Sequence, residues 1–427
     1  MDQLIHRATH AVGRVDLPGD KSIAHRAAIL AALADGTSEI VNFPDSRDPQ
    51  STLSCLRQLG VQIDIEEASM RVHGRGLSGL QPSQEPIDCG NSGTTMRLLT
   101  GVLAGQSFAS TLVGDASLSS RPMERIAEPL RQMGARIELT DGHAPIHILP
   151  ADGPLKPIEY RLPVASAQVK SCTLLAGLYA DGETTVIESR TTRDHTERML
   201  RLEILHLGDE AHISVSGHRV IPAQGWAVPR DFSAAAFFLV AGAAVPNAQM
   251  TIAGVGLNPT RSGALDVLSA MGARIERSDE RTFGGELIGD LRVRTSPLTS
   301  VNITGVLVPN LIDEIPILAV AATGAHGTTS IRDAAELRVK ETDRVKAMVT
   351  NLRKMGADVD EHDDGLTIRG GTTLRGAEVD SFGDHRVAMA MGVAGLLAEG
   401  ETTIRNANCA NISFPGFWQQ LRRLAGQ

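Results

Sequence analysis

Several short stretches set ionisable side chains against hydroxyl, amide or glycine residues just before an Ala/Leu/Ile run. "GDKSIAHR" carries Lys21, Ser22, His25 and Arg26, and "DCGNSGTTMR" carries Asn91, Ser92, Gly93, Thr94 and Arg97. "VASAQVKS" contributes Ser166, Gln168 and Lys170, "NLIDEIP" contributes Asp313 and Glu314, and "SFGDHR" contributes Asp384, His385 and Arg386. A weaker version, "PRDFSAA", precedes a further apolar run. Small and hydroxyl-bearing residues at a helix start leave backbone N–H groups free to meet an anion. A Lys or Arg beside them adds the charge that holds phosphate or carboxylate. Ser, Thr, Asn and Asp at such places are equally explained as N-caps. Capping, however, makes no demand for Lys21, Arg26, Arg97, Lys170 or Arg386, because positive charge is the unfavourable sign at a helix N-terminus.

A second concentration of charge lies in "AAELRVKETDRVKAM", Ala334 to Met348, which holds Lys340, Glu341, Asp343 and Arg344. Read as a surface helix, it sets Lys340 against Arg344 at i,i+4 and pairs Lys340 with Asp343. That reading stands beside a functional one. Other motifs are excluded. "GDKS" ends like a phosphate-binding loop, but Asp20 separates Gly19 from Lys21 and the G-x-x-x-x-G-K-[ST] pattern is absent. His143 and His147 are spaced i,i+4, yet "DGHAPIHILP" is broken by proline and reads as loop then strand, so no metal site is expected.

The elements that would position these residues recur. "ALADGTSEI", "GVLAGQSFASTLV" around Gly105, "GLYADGETTVI" at Gly182, "TGAHGTTSI" at Gly327 and "GLLAEGETTI" at Gly400 each read as a helix, a glycine C-cap and an alternating strand. "AGAAVPNAQMTI" has Asn247 in the glycine's place. A second series interleaves and again reads as helix, glycine cap and strand: "LRQLGVQIDI", "LRQMGARIEL", "LEILHLGDEAHI", "LSAMGARIER" and "LRKMGADVDE", with Gly60, Gly134, Gly208, Gly272 and Gly356. The chain therefore reads as six repeats of roughly 70 residues, each with two helices and several strands. They group as three plus three about "PAQGWAVPRDFSAA", and the stretch before Pro18 is expected to pair with the second half. Helices sharing a direction within each half would turn their N-termini toward one cleft, cationic inside an acidic protein.

Composition is consistent with this. The 427 residues exceed one small core and point to two or three domains. A hydrophobic fraction of 42% with 21% charged residues is that of an ordinary globular protein. A net charge of −9 excludes a general nucleic-acid binder. Aromatic residues are only 3% against 42 glycines, so the core must be built from small aliphatics on closely approaching elements. Cys55, Cys89, Cys172 and Cys409 form no CxxC pair, which favours a reducing compartment. No apolar run approaches the ~20 residues that span a bilayer, and the first residues lack a signal peptide's apolar core. A cytoplasmic protein without membrane or nucleic-acid partners is expected.

"LPGDKSIAHR", "GNSGTTMRLL", "SSRPMERI", "VASAQVKS", "TRDHTERML", "IDEIPILAVAA", "LRVKETDR", "GDHRVAMA" and "SFPGFW" resemble, in order and over essentially the whole chain, the signature blocks of the 5-enolpyruvylshikimate-3-phosphate synthase family. The resemblance implies an α/β (α+β) fold, a two-domain inside-out α/β barrel of six βαβαββ repeats, three per domain. Residues 18–228 would form one domain, residues 1–17 and 229–427 the other, with the active site in the inter-domain cleft. It implies addition of the 5-hydroxyl of shikimate 3-phosphate to C2 of phosphoenolpyruvate and loss of phosphate, without cofactor or metal, by a monomer. By motif, Lys21, Asp313 and Glu341 would be catalytic. Lys21, Ser22, Arg26, Ser166, Gln168, Arg193, Asp313 and Lys340 would hold shikimate 3-phosphate. Lys21, Gly93, Arg121, Gln168, Glu341, Arg344, His385 and Arg386 would hold phosphoenolpyruvate.

Three positions depart from the family's pattern. Ile412 of "CANISFP" stands where some members have Lys in C-x-x-K-x-F-P, and Arg230 stands where Gly is common. Gly93 stands where glyphosate-tolerant members often have Ala, which implies glyphosate sensitivity. Two rival readings remain in view. The UDP-N-acetylglucosamine enolpyruvyl transferases share the fold, but they usually carry a reactive Cys in the loop equivalent to "GDASLSSRPM", and no Cys lies between Cys89 and Cys172 here. A non-catalytic anion-binding member would not need Lys21, Asp313, Glu341 and Arg344 together.

Overall fold

The computed structural model describes residues 1–67 and 69–427. Six apolar helices run over Lys21–Ala32, Gly93–Leu103, Ala167–Gly177, Phe232–Ala244, Ile315–Gly324 and His385–Leu397. Past the first turn they are buried on nearly every side, as helices apolar all round must be. Their small residues let backbones touch. A Cβ on Gly101 would stand 2.3 Å from the Cys172 carbonyl oxygen, so helices Gly93–Leu103 and Ala167–Gly177 pack at a spacing that only glycine permits.

The chain forms two compact units, one of residues 19–229 with 283–286, the other of residues 1–18, 230–282 and 287–427. Each has its own apolar core. Within the first unit, the repeat is clearest in its middle copy. Ile87–Asp88 runs parallel to Ser110–Val113, which pairs antiparallel with His143–Leu149, itself antiparallel to Arg136–Thr140. The parallel pair requires a crossover, supplied by helix Gly93–Leu103, and the antiparallel pair closes as a hairpin. His143 and His147 thus lie on a strand. The same order recurs through Glu159–Arg161, Glu183–Glu188, Glu210–Ser216 and Ile204–Leu207. In the first copy the opening strand is Gly225–Ala227, parallel to Thr37–Val41.

The second unit borrows strands similarly. Ala11–Val15 runs parallel to Ala248–Gly256, and Gln3–His6 pairs antiparallel with Glu401–Arg405. Arg230 has a structural place here: its backbone pairs with Gly254 and Gly256, and its Nη1 donates to the Leu17 carbonyl at 2.5 Å.

The second glycine series does cap helices. Gly60, Gly134, Gly272 and Gly356 have φ of 81°, 91°, 89° and 85°, and each donates to the third residue back while its successor donates to the fifth. That is the Schellman pattern, which needs a left-handed residue. Gly208 does not belong to it. It turns the hairpin between Ile204–Leu207 and Glu210–Ser216, while the short helix His195–Leu200 ends on Arg201 at φ 52°. The "ILHL" of that stretch, Ile204–Leu207, is a strand, and the cap one expects to be glycine is an arginine. In the first series Gly36, Gly182, Asn247, Gly327 and Gly400 have positive φ, but they sit in the turn before the strand, beyond the helix ends, and Gly105 does not.

Candidate active site

In the first unit, Asp20 caps helix Lys21–Ala32 by accepting from Ile23 N at 2.9 Å, which puts Lys21 on the first turn. Lys21 Nζ lies 2.9 Å from Asp48 Oδ2, with a fifth of the side chain exposed. Ser92 caps helix Gly93–Leu103 and Ser166 caps helix Ala167–Gly177. A polar chain joins these two helix starts: Arg97 Nη1 donates to Gln168 Oε1, and Gln168 Nε2 donates to Thr94 Oγ1 at 3.1 Å. Arg121 Nη2 donates to Asn91 Oδ1 at 2.8 Å, and Asn91 is held in turn by Asp115. A Cβ on Gly93 would lie 3.3 Å from both Arg121 Nη1 and Arg97 Nη1. Gly93, Arg121 and Gln168 are therefore brought together around two guanidinium groups.

Arg26 is nearly buried and donates to Thr196 Oγ1, the Ser22 carbonyl and Ser171 Oγ at 2.8, 2.9 and 2.8 Å. Burial, opposed by Glu197 and Asp20, lowers its pKa to about 10. Arg193 is half-buried in the segment leading into helix His195–Leu200. His25 is wholly buried against Thr52 Oγ1 at 2.6 Å, and burial together with Lys21 and Arg26 pushes its pKa well down, so it is a neutral core histidine. Lys170 needs no external anion. It is fully buried, 3.0 Å from both Glu188 oxygens and 2.6 Å from Glu197, and these carboxylates outweigh burial and raise its pKa. Glu188 also accepts from Thr192, so this ion cluster fixes the segment that carries Arg193.

In the second unit, Arg344 is buried and touches three carboxylates: Asp384 Oδ2 at 2.7 Å, Glu341 Oε2 at 2.6 Å and Asp313 Oδ1 at 3.1 Å. Burial alone would favour a neutral guanidine, but Asp384, Glu341 and Asp313 together raise its pKa. Asp384 caps helix His385–Leu397 through Arg386 N at 2.8 Å. Arg386 Nη2 stands 3.6 Å from Asp313 Oδ2. His385 is buried at the first position of that helix. The Ala334–Met348 segment is not one helix. A 3₁₀ turn covers Ala335–Val339 and an α-helix begins at Arg344 with Asp343 as its cap. Lys340 and Glu341 fall in the break, which frees Glu341 to reach Arg344. Lys340 Nζ is 3.7 Å from Glu336 Oε1, and its pKa is lowered by loss of solvation, partly offset by Asp313 and Glu336. Among the described residues no group of His, Cys, Asp or Glu is placed to hold a metal ion, and no single helix is long and apolar enough to cross a membrane.

Residues 5–421 match the family EPSP synthase (3-phosphoshikimate 1-carboxyvinyltransferase). The chain belongs to the EPSP synthase family. It is 59% identical to the 3-phosphoshikimate 1-carboxyvinyltransferase of Salinibacter ruber, with all of both chains covered. The solved EPSP synthase of Acinetobacter baumannii superposes with a TM-score of 0.88 at 42% identity, over 99% of this chain and 97% of that one. The enolpyruvyl transferase NikO of Streptomyces tendae, at 20% identity and a TM-score of 0.78 over 99% and 97%, shares the fold. The inside-out α/β architecture expected from the motifs is thereby established.

In this EPSP synthase family member, Arg386 also packs against residues that sequence reasoning did not assign to the site. Arg261 of "NPTRSG", Ser233 of the weak helix start and Glu314 form a buried cluster with Arg386. Arg261 precedes helix Gly263–Ala270 and belongs to no recurring block, so no local signal marked it. Glu314 was visible only as a charge beside Asp313. At the position of the family's C-terminal lysine, Ile412 closes a 3₁₀ helix, Ala407–Ile412, half-buried.

Proposed function

We infer that this chain transfers the enolpyruvyl group of phosphoenolpyruvate to the 5-hydroxyl of shikimate 3-phosphate and releases phosphate. The observation that carries the reading is Arg344 holding Asp313 and Glu341 at 3.1 and 2.6 Å. Addition and elimination need two proton-transfer groups within reach of one carbon centre. Asp313 accepts the proton of the attacking hydroxyl. Glu341 delivers a proton to the methylene carbon and removes one when phosphate departs.

Lys21, Ser22, Arg26, Ser166, Gln168, Arg193, Asp313 and Lys340 bind shikimate 3-phosphate. Lys21, Gly93, Arg121, Gln168, Glu341, Arg344, His385 and Arg386 bind phosphoenolpyruvate. Fixed cations around the departing phosphate stabilise charge as it accumulates. Residues 18–228 act as one domain and residues 1–17 with 229–427 as the other. The protein acts as a cytoplasmic monomer. Its four free cysteines support a reducing compartment, and sedimentation at micromolar concentration tests the monomer. Phosphate release from phosphoenolpyruvate with shikimate 3-phosphate tests the reaction. Turnover only with UDP-N-acetylglucosamine would overturn it.

Lys340 gives a pH prediction. Loss of solvation puts its pKa below the ordinary lysine value, and its charge contributes part of the hold on shikimate 3-phosphate. That charge is lost as pH rises through the lowered value rather than near 10.5. Shikimate 3-phosphate affinity should fall on the alkaline side, and Lys340→Arg should flatten that limb because guanidinium stays charged. A limb unchanged in Lys340→Arg would remove Lys340 from binding.

Gly93→Ala gives another. The backbone tolerates Ala, since Gly93 has no positive φ, but the methyl must push Arg121 and Arg97 by a few tenths of an ångström. The expected result is a phosphoenolpyruvate KM raised about threefold to tenfold, with glyphosate inhibition shifted to higher concentration. Superimposable inhibition curves would refute it.

A further inference from the structure

Arg386 is held from behind. Its Nη1 lies 2.9 Å from Ser233 Oγ, 3.1 Å from the Asp313 carbonyl oxygen and 3.3 Å from Glu314 Oε1. Arg261 Nη1 grips both Glu314 oxygens, at 3.0 and 2.9 Å, and the Ser233 hydroxyl bonds to Arg261 Nη2 and to Glu314 Oε1. Arg261, Glu314 and Ser233 are 3%, 1% and 5% exposed. Glu314 and Asp313 are consecutive at the start of helix Ile315–Gly324, and they divide the work. Asp313 meets Arg344 and Arg386, whereas Glu314 meets Arg261 at 2.9 Å and Arg386 at 3.3 Å.

We propose that Arg261 and Glu314 are positioning residues for the enolpyruvyl transfer: their buried ion pair, bridged by Ser233, fixes the Arg386 guanidinium and the adjoining Asp313 carboxylate in their working orientation. A buried pair is a poor device for stability alone, because apolar residues of similar volume often serve as well or better. What it supplies is geometry. Glu314 is shared by two guanidinium groups and fully matched by Arg261. Arg386 is thereby anchored through one guanidinium nitrogen, Nη1, by Ser233, the Asp313 carbonyl and Glu314. Ser233 touches all three charged groups, so a small change there reports on the whole cluster.

The inference rests on reading Arg386 as a phosphoenolpyruvate ligand. It is tested with Arg261→Met, Glu314→Met, the double variant, Ser233→Ala and Arg386→Met, measuring melting temperature, phosphoenolpyruvate KM, kcat and shikimate 3-phosphate affinity. Each Met single variant strands a buried charge and should melt lower. The double variant should recover most of that loss, yet keep a phosphoenolpyruvate KM raised about tenfold and a reduced kcat, with shikimate 3-phosphate affinity within about twofold. Ser233→Ala should raise the same KM about threefold while lowering the melting temperature by only a few degrees, less than either Met single variant. Arg261→Lys should rescue it only in part, because an ammonium cannot reproduce the bidentate fork. A double variant or Ser233→Ala with unaltered KM and kcat would reduce the cluster to a structural one. Should the double variant fail to fold, Ser233→Ala decides. If Arg386→Met leaves the KM unchanged, the ligand assignment itself falls. If Arg386→Met raises it and the other variants do not, the positioning inference alone is lost.

Discussion

Lys21→Ala is expected to lower kcat/KM by about a thousandfold while the protein melts within a few degrees of its original temperature. The two halves of that statement rest on different observations. Asp20, not Lys21, caps the helix, so the N-terminus stays closed when the ammonium is removed. Alanine is a good residue in a first turn. The ion pair with Asp48 leaves 20% of the lysine and 12% of the aspartate side chain exposed, so its loss costs more than the roughly 0–1 kcal/mol of a surface pair but less than the ~3–5 kcal/mol of a fully buried one. The catalytic half follows from location. A cation at a helix start adds to the field of the exposed N–H groups, and both proposed substrates are multiply charged anions. Removing one preorganised donor from a site where charge develops typically costs two to three orders of magnitude, roughly 2.7–4 kcal/mol. Steady-state kinetics with a thermal melt decides it. Activity within about tenfold of the original would take Lys21 out of the site, and a collapsed melt would make it structural instead.

The division between what sequence makes legible and what it hides follows the range of the interaction. Helix starts and left-handed caps are local: Ser92, Ser166 and Asp384 bond to N–H groups two or three residues on, and Gly60, Gly134, Gly272 and Gly356 close hydrogen bonds within a single turn. Those were readable because type and spacing are sufficient for them. Lys170 was misread as an anion-binding cation because Glu188 and Glu197, 18 and 27 positions on, carry no mark of being its partners. Gly208 was misread because a glycine after a Leu-rich run serves a hairpin as readily as a helix cap. The Ala334–Met348 segment looked helical by charge spacing, but the 3₁₀ turn and the fresh cap at Asp343 break it, and that break lets Glu341 reach Arg344. Arg261 is hidden for the same reason as Lys170, since 53 residues separate it from Glu314.

The Lys170 and Arg344 clusters share one physical logic, although they form in separate units. A guanidinium or ammonium is sunk into the interior, two or three carboxylates or hydroxyls surround it, and it holds functional side chains by geometry. In the first unit Lys170 does this for the Thr192 segment. In the second, Arg344 does it for Asp313 and Glu341, with Asp384 as the fully buried partner.

Arg344→Met should therefore be the most damaging single change in the second unit, in stability as well as rate. Arg344 is 1% exposed and Asp384 is wholly buried, so truncation leaves a carboxylate with neither solvent nor its cation. Breaking a buried pair by removing one partner costs about 3–5 kcal/mol. At roughly 2–4 °C per kcal/mol for a domain of this size, the melt should fall by about 10 °C. The expected loss in kcat is larger still. Asp313 and Glu341 lose the guanidinium that fixes both, one through each of its terminal nitrogens, each carries a proton-transfer role in the proposed reaction, and such groups are worth about 10²–10⁴ apiece. Arg344→Lys separates the two effects. An ammonium restores charge beside Asp384 and should recover much of the melt. It cannot span three carboxylates at 2.6 to 3.1 Å as the guanidinium does, so kcat should stay low. A lysine variant that regains stability and rate together would mean that charge alone suffices and that the fork geometry at Arg344 is incidental.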